Sequence, residues 1–420
     1  MPKAAIITIG DEILRGRIID TNSAWLAKKL FLLGVDVIHH QTVPDRLDAI
    51  SKALSYVNEA DIIITTGGLG PTPDDATRKA LSEFLGKKLI FHEEIAKTIE
   101  ERFIKRGIKM PEVNLVQAYL PEGGIALENP EGTAPGIFVE WQGKLIFLLP
   151  GPPREMQAVY HSVEKILRER FKSKKVLNAI FKTIGVPESV INEWIQGKQI
   201  PQGAQISYYP SLRGVDVFIV ASEESVLDET KNILSKILGK YTFSHREEER
   251  IEKVIGELLR KRGQTLATAE SCTGGMLASW IVDIPGSSDY FLGGVVSYSN
   301  EAKMKFLGVS EENLIKYGAV SPQVAFEMSS GVRDRFQATF GIGITGIAGP
   351  TGATPTKPVG LVYVSVASPE KIWVRKYQFV GGRNAVRTRS ATAALNMLWV
   401  ALKYGELEDY PFEDGGEFAR

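Results

Sequence analysis

The chain has 420 residues, too many for one ordinary hydrophobic core, so two or three domains with separate cores are expected. Its 50 basic and 50 acidic residues cancel, which removes the global field that would draw it onto nucleic acid or an anionic membrane and points to small-molecule partners. One cysteine, Cys272, excludes an intramolecular disulfide and a cysteine-based zinc cluster; no apolar run approaches the roughly 20 residues of a membrane span, and a soluble, cytoplasmic protein with no membrane partner is expected.

Residues 4–9 form a short apolar run of strand type, 21–33 carry helical periodicity, 35–40 read as a strand, 47–58 as a helix, and 61–65 as a strand ending at Gly67-Gly68. Strands alternating with helices predict a mainly parallel sheet covered on both faces. Residues 144–149 are a further buried strand, stopped by Pro150-Gly151-Pro152-Pro153, and a helix follows to about Phe171. The Lys172-Ser173-Lys174-Lys175 cluster is a hinge that closes a first domain of residues 1–171.

Residues 172–247 read as a small α+β module with helices near 188–196 and 223–238 and strands at 204–209 and 215–221. Nothing catalytic clusters there, so a linker or dimerisation role is expected. It has neither a basic stripe nor a Gly-x-x-Gly clamp, and no nucleic-acid partner is expected. A third unit, residues 248–412, opens with a helix at 251–262, and an acidic tail, 413–420, ends the chain. The expected fold class is α/β in three domains: two three-layer α/β units with mainly parallel sheets, joined by the small α+β module.

In the first domain, Gly10-Asp11-Glu12, Asp20-Thr21-Asn22-Ser23 and the loop from Thr66 to Thr77 follow strands or open helices. Ligands of open parallel sheets bind beyond the carboxyl ends of the strands, where such loops meet. Gly67 and Gly68 are candidates to cradle phosphates beside Asp11, Glu12 and Asn22, with Asp45, Asp74 and Asp75 as candidate ligands of a divalent, Mg-like cation. Helix capping by Asp74 or Asp75 is the competing reading.

No histidine follows His245, so a nucleophile in the last domain needs another base. Glu270-Ser271-Cys272-Thr273-Gly274-Gly275 places Ser271 in a turn between a strand at 265–268 and a helix at 275–282, beside the unpaired N–H groups of a helix start. Simple capping by Ser271 or Thr273 is the alternative. Lys303 falls in the first turn of a helix at 301–307, capped by Ser299 or Asn300, where the helix dipole disfavours its protonated form. Tyr298 is positioned to relay or orient a proton; an ordinary solvated lysine is the competing reading. Glycines 341, 343, 346, 349 and 352 follow an apolar strand and form a candidate anion cradle. Arg383 and Arg387, one turn apart on a helix after Gly381-Gly382, are a candidate phosphate clamp or a pair of surface ion-pair partners.

The three motifs of the last domain, in this order, resemble the carboxyl-terminal domain of the CinA (competence/damage-inducible protein) family, whose stand-alone form is the PncC-type nicotinamide mononucleotide deamidase. The resemblance implies Ser271 as nucleophile, Lys303 as base and Tyr298 as its neighbour. Thr345, Gly346 and Arg383 fall on other family-typical positions; with Thr273, Gly274, Gly349 and Arg387 they are the expected substrate-binding residues, and no cofactor is expected in this domain. Where many relatives carry an aspartate before the arginine, this chain has Gly382. The first domain resembles the MogA/MoaB-like molybdopterin-binding domain at the head of CinA proteins, through Gly67-Gly68-Leu69-Gly70-Pro71-Thr72-Pro73-Asp74-Asp75-Ala76-Thr77 and Gly132-Thr133-Ala134-Pro135-Gly136. There the resemblance implies metal-dependent hydrolysis of ADP-ribose to AMP and ribose 5-phosphate, with Asp75 and Asp45 at the cation. The expected protein is a homodimeric hydrolase of pyridine-nucleotide salvage acting on nicotinamide mononucleotide and ADP-ribose. Two alternatives stand beside it: a deamidase whose head only binds a pterin, and a non-enzymatic interaction protein of DNA uptake.

Overall fold

Successive residues of the first strand, Lys3–Ile9, enter two different cores: Ala5, Ile7 and Ile9 pack into one apolar cluster and Ala4 and Ile6 into another. A strand buried on both faces needs a continuous apolar run rather than alternation, which is what residues 4–9 supply. A computed structural model describes residues 2–72, 75–171 and 176–405. They fall into two compact units, Met1–Val176 and Leu177–Arg420.

In the first unit six strands form one sheet in the order Asp36–Val43, Lys3–Ile9, Ile62–Thr66, Lys144–Leu149, Gly136–Trp141, Ile125–Leu127. The first four run parallel and the last two antiparallel. Helix Thr21–Leu32 begins at Asp20, whose carboxylate accepts from the Ser23 N–H and from Thr8 Oγ1. Helix Pro153–Phe171 covers the same face, with Met156, Val159, Tyr160 and Val163 buried. The predicted hinge, residues 172–175, and the predicted acidic tail lie outside the described residues.

The second unit holds two sheets. A four-stranded antiparallel sheet, ordered Ala204–Ser211, Gly214–Ala221, Leu177–Thr183, Thr242–Ser244, carries helices Glu188–Gln196 and Glu224–Leu238. The other sheet is ordered Phe291–Val296, Leu266–Glu270, Phe340–Gly346, Leu361–Ala367, Ile372–Gln378, with three parallel strands and two antiparallel ones. One apolar cluster runs from Phe181 and Val217 of the small sheet to Ile255, Ile342, Val364 and Leu398, so the small module shares its core with the larger sheet. Helix Arg383–Tyr404 is buried almost all round from Ser390 to Leu402, as a helix flanked by protein on every side must be. Arg213 of the small sheet reinforces the junction: its guanidinium pairs with the buried Glu252 and lies 4.2 Å from the centre of the Trp280 ring. Among the described residues, no helix is long and apolar enough to cross a membrane.

Two faces of the larger sheet differ by design of the sequence. Ala267 and Ala269 lie in register with Gly341 and Gly343, and these small residues form a floor on which helix Pro322–Phe336 rests. A Cβ at Gly341 would stand 2.1 Å from the Ser329 carbonyl, and one at Gly343 would stand 2.6 Å from that of Ala325. Glycines 341 and 343 are therefore packing residues, and the anion-cradle reading of this part of the run is corrected. Leu266, Ile342 and Ile344 fill the opposite face. Replacing Gly341 by alanine should cost about 1–3 kcal/mol through overpacking. Denaturant titration should show a lower midpoint with an unchanged slope.

Candidate active site

Ser271 stands at the carboxyl end of strand Leu266–Glu270, where the chain leaves the sheet between two parallel neighbours. The Ser271 N–H donates to the Ile344 carbonyl at 3.0 Å, and the Ser297 N–H donates to the Glu270 carbonyl at 2.9 Å. This is the position at which open α/β sheets form a ligand crevice, since the flanking connections run to opposite sides. Helix Asn300–Leu307 starts from Ser299, whose hydroxyl accepts from the Ala302 N–H, and ends at the left-handed Gly308. These two ends fix the turn that carries Lys303 inward.

Lys303 is 1 % exposed. Its Nζ donates to the Ser297 carbonyl at 2.7 Å and lies 3.1 Å from Ser271 Oγ. An ammonium buried this far has no carboxylate to offset its lost hydration, and burial pulls its pKa from 10.5 to about 8, against a smaller opposing pull from Cys272. The solvated-lysine reading is thereby excluded. In the neutral amine one hydrogen stays on the Ser297 carbonyl, leaving the lone pair free to accept the Ser271 hydroxyl proton. Cys272, adjacent in sequence, is buried, and its thiol is pushed up to about 12, so it is the poorer nucleophile of the two.

The N–H groups of helix Met276–Val282 are not available to a substrate. Both oxygens of the buried Glu270 carboxylate cap them, accepting from Gly275, Leu277 and Ala278 at 2.8–3.1 Å. The expectation that this helix start would stabilise negative charge on the substrate is corrected for that reason. Thr273 does not cap the helix with its side chain: its buried Oγ1 has no partner.

The two arginines reach the same place. Arg387 donates through Nε and Nη2 to the Thr273 carbonyl, and Arg383 donates to the Gly349 carbonyl at 2.8 Å and to the Tyr298 hydroxyl at 3.2 Å. Neither faces a carboxylate among the described residues, so surface ion pairing does not account for them. Tyr298 is 65 % exposed and its hydroxyl is engaged by Arg383, not by Lys303 or Ser271, which moves it from proton relay to the arginine edge of the site. Thr345 is buried and donates to the Ala319 carbonyl at 2.7 Å; Gly346 packs against Val362, and Gly274 turns beside Arg387. Sequence reasoning missed Ser297, whose carbonyl anchors the lysine, and the capping role of Glu270. An acidic residue five positions before an uncapped helix start was the signal for the second; nothing in the sequence marks the first.

In the first unit the loops meet beyond the strand ends. Asn22 Nδ2 donates to Thr66 Oγ1 at 2.9 Å and to the Gly151 carbonyl at 2.8 Å, while its Oδ1 is buried without a partner. Gly67 is left-handed, φ 109°, and a Cβ there would meet the Ile9 carbonyl at 2.1 Å; at Gly68 it would meet Thr77 Oγ1. Asp75 accepts from the N–H groups of Gly70 and Thr72 and from the Thr72 hydroxyl, at 2.6–2.8 Å, and the buried Arg78 donates to the carbonyls of Leu69 and Gly70. Asp75 and Arg78 thus brace the glycine loop from within.

Asp45 accepts from the Asp11 N–H at 3.1 Å, and its pKa is raised by burial and by the charges of Glu12, Asp11 and Asp75. Asp11 also pairs with Arg15. Asp74 lies outside the described residues. Among the described residues no three acidic, histidine or cysteine side chains form a group able to hold a metal ion. Asp45 and Asp75 are each held by backbone N–H groups, Asp75 as a brace of the glycine loop.

Residues 248–402 match the model of the CinA C-terminal domain, and residues 5–169 match that of a probable molybdopterin binding domain. A putative competence-damage inducible protein of Caldicellulosiruptor saccharolyticus is 42 % identical over 406 residues, covering 94 % of this chain and 98 % of its own. A CinA-like protein of Kosmotoga olearia is 41 % identical, covering 95 % of this chain and 99 % of its own. Among solved structures, CinA of Thermoplasma acidophilum is 36 % identical and covers 39 % of this chain and 97 % of its own, with a TM-score of 0.37.

The bracing role of Asp75 is open to test without any ligand. Asp75→Ala should destabilise the first unit by about 1–3 kcal/mol, because three hydrogen bonds to a charged acceptor are lost. The measurement is chemical denaturation in the presence of EDTA. An aspartate that served only as a metal ligand would leave that midpoint unchanged.

Proposed function

This chain belongs to the CinA family of competence-damage inducible proteins, and from that premise we propose that its carboxyl-terminal site hydrolyses the amide of nicotinamide mononucleotide. The observation that carries the reading is the contact between buried Lys303 Nζ and Ser271 Oγ at 3.1 Å, in a domain that has no histidine. Neutral Lys303 takes the Ser271 proton as Oγ attacks the amide carbon. Collapse of the tetrahedral intermediate breaks the C–N bond, and the leaving nitrogen takes the proton from Lys303, departing as ammonia. Lys303 then deprotonates a water that cleaves the acyl ester, giving nicotinate mononucleotide and restoring the serine. Arg383 and Arg387, held by backbone carbonyls and free of carboxylate partners among the described residues, are suited to the substrate phosphate.

For the head domain the reading is narrower. Loops at Asn22, Gly67, Gly70 and Gly151 converge beyond the ends of the parallel strands, which supports binding of a nucleotide or pterin. ADP-ribose hydrolysis would require a cation to neutralise the diphosphate, with Asp45 and Asp75 as its candidate ligands.

Ser271→Ala and Lys303→Met should each lower kcat for nicotinamide mononucleotide by about three or more powers of ten, and the double variant should lose little more, because the pair acts as a unit. Ammonia release assayed against nicotinate mononucleotide formation provides the measurement. Full turnover in Ser271→Ala with loss in Cys272→Ala would reassign the nucleophile.

The pH dependence follows from the direction of the lysine shift. The base form is the deprotonated amine, so kcat/KM should be low in acid and rise through an apparent pKa of about 8, levelling above it. A profile that stayed flat from neutral to mildly alkaline pH, with chemistry rate-limiting, would remove Lys303 as the ionising base.

A further inference from the structure

In the first unit, helix Glu93–Lys105 and the 3₁₀ helix Glu112–Ala118 lie side by side, and the chain then enters the short strand Tyr119–Pro121, which pairs antiparallel with Leu89–Phe91. Side chains three residues apart share a face of a 3₁₀ helix. Asn114 and Gln117 are buried, whereas Val113 and Val116 face solvent, and Tyr119 extends the row with its ring 5.1 Å from that of Phe91. These four side chains are 38–53 % exposed, and Ile104 and Ile108, where the neighbouring helix ends, are 65 % and 55 % exposed. Single exposed apolar residues are ordinary. Six large ones along two adjoining elements make a patch of several hundred Å², the size that marks an interaction surface.

The charges beside this row identify what fits it. Residues 93–101 carry four glutamates and one lysine, and residues 102–111 carry four basic residues and no acidic one. Glu93 and Glu94 follow Phe91, at the Tyr119 end of the row; Lys105, Arg106 and Lys109 approach its Val113 end, opposed there by Glu112. Glu93, Lys105, Arg106 and Lys109 are exposed and have no ion-pair partner among the described residues, and Glu94 has His92, two residues away. The surface is thus apolar along its length, acidic at one end and basic at the other. A two-fold axis near Val116 lays the Val113 end of one chain on the Tyr119 end of another, so each basic end meets an acidic one and both contacts form twice. Such opposition of ends is what self-pairing needs and what a different partner would not require.

We propose that this face is the contact between two copies of the chain, related by that two-fold axis, with apolar row on apolar row and basic end over acidic end. The apolar side chains and their charged rim are of the order of the roughly 800 Å² that each partner of a stable interface buries. The pairing depends on neither candidate site, so it stands or falls apart from both.

Sedimentation of the full chain at tens of micromolar tests the proposal, and it should give twice the 46.2 kDa of one chain. Val116→Asp sets two like charges at the axis and should raise the dissociation constant by about a hundredfold or more. Ile108→Asp, at a more exposed position, replaces it if that variant does not fold. Two charge variants, with folding checked by circular dichroism, decide the pairing. Lys105→Glu with Arg106→Glu makes both ends acidic, and Glu93→Lys with Glu94→Lys makes both basic. Each should be largely monomeric alone, and the two mixed should form a mixed dimer. A monomeric wild type, a dimer unmoved by Val116→Asp and Ile108→Asp, or charge variants that do not combine on mixing would overturn the assignment. The first result would leave the row to a different partner, and the second would move the dimer contact to another surface.

Discussion

The burial of one amine organises the carboxyl-terminal site. Lys303 is buried, and its amine has the Ser297 carbonyl and the Ser271 hydroxyl as hydrogen-bond partners among the described residues. Holding a charge there is costly, and the protein meets the cost by making the neutral amine accessible near physiological pH. The arrangement requires a short helix with firm ends, which Ser299 and Gly308 provide, and a sheet edge that places residues 271 and 297 side by side. Sheet, caps and helix thus bury an amine that on a surface helix would stay protonated.

Glu270 shows how the same sequence segment divides its labour. Its side chain satisfies the start of helix Met276–Val282, while its carbonyl holds Ser297 and its neighbour Ser271 is left free for chemistry. A buried carboxylate at a helix start is favoured by the dipole and by three charge-assisted hydrogen bonds. It also offsets the positive end of the helix, and Arg383 and Arg387 are the cations beside this turn without a carboxylate partner among the described residues. Both guanidiniums are oriented by backbone carbonyls, which fix their direction without cancelling their charge.

Much of this was legible in the sequence because it rests on local pattern. The apolar run at 4–9, the cap at Ser299 and the pairing of Ser271 with a non-histidine base all have short-range signatures, and the α/β class follows from the alternation of elements. Glycine was the least readable residue. Gly341 and Gly343 look the same in sequence as phosphate-loop glycines, yet their role depends on a helix beginning at Pro322 that lands on the opposite side of their strand. Asp75 is hard to read for a related reason: an aspartate in a glycine loop is equally a metal ligand and a brace, and the brace shows only in the positions of Gly70 and Thr72.

Helix Arg383–Tyr404 connects these observations. A helix with one polar end and an apolar remainder reads from sequence as a substrate clamp followed by a core segment, and its amino-terminal turn does reach the site. Its middle is enclosed because the small module packs on the side away from the sheet, sharing one apolar cluster and the pair between half-buried Arg213 and buried Glu252. A polar side chain on an enclosed helix must be satisfied by protein or by a ligand. Ser390 is satisfied by the Val386 carbonyl at 2.7 Å, whereas Thr392 Oγ1 and Asn396 Oδ1 are buried without a partner. Leucine at both positions would remove the two orphaned acceptors, so these polar groups stand in the enclosed part of the helix at a cost to stability.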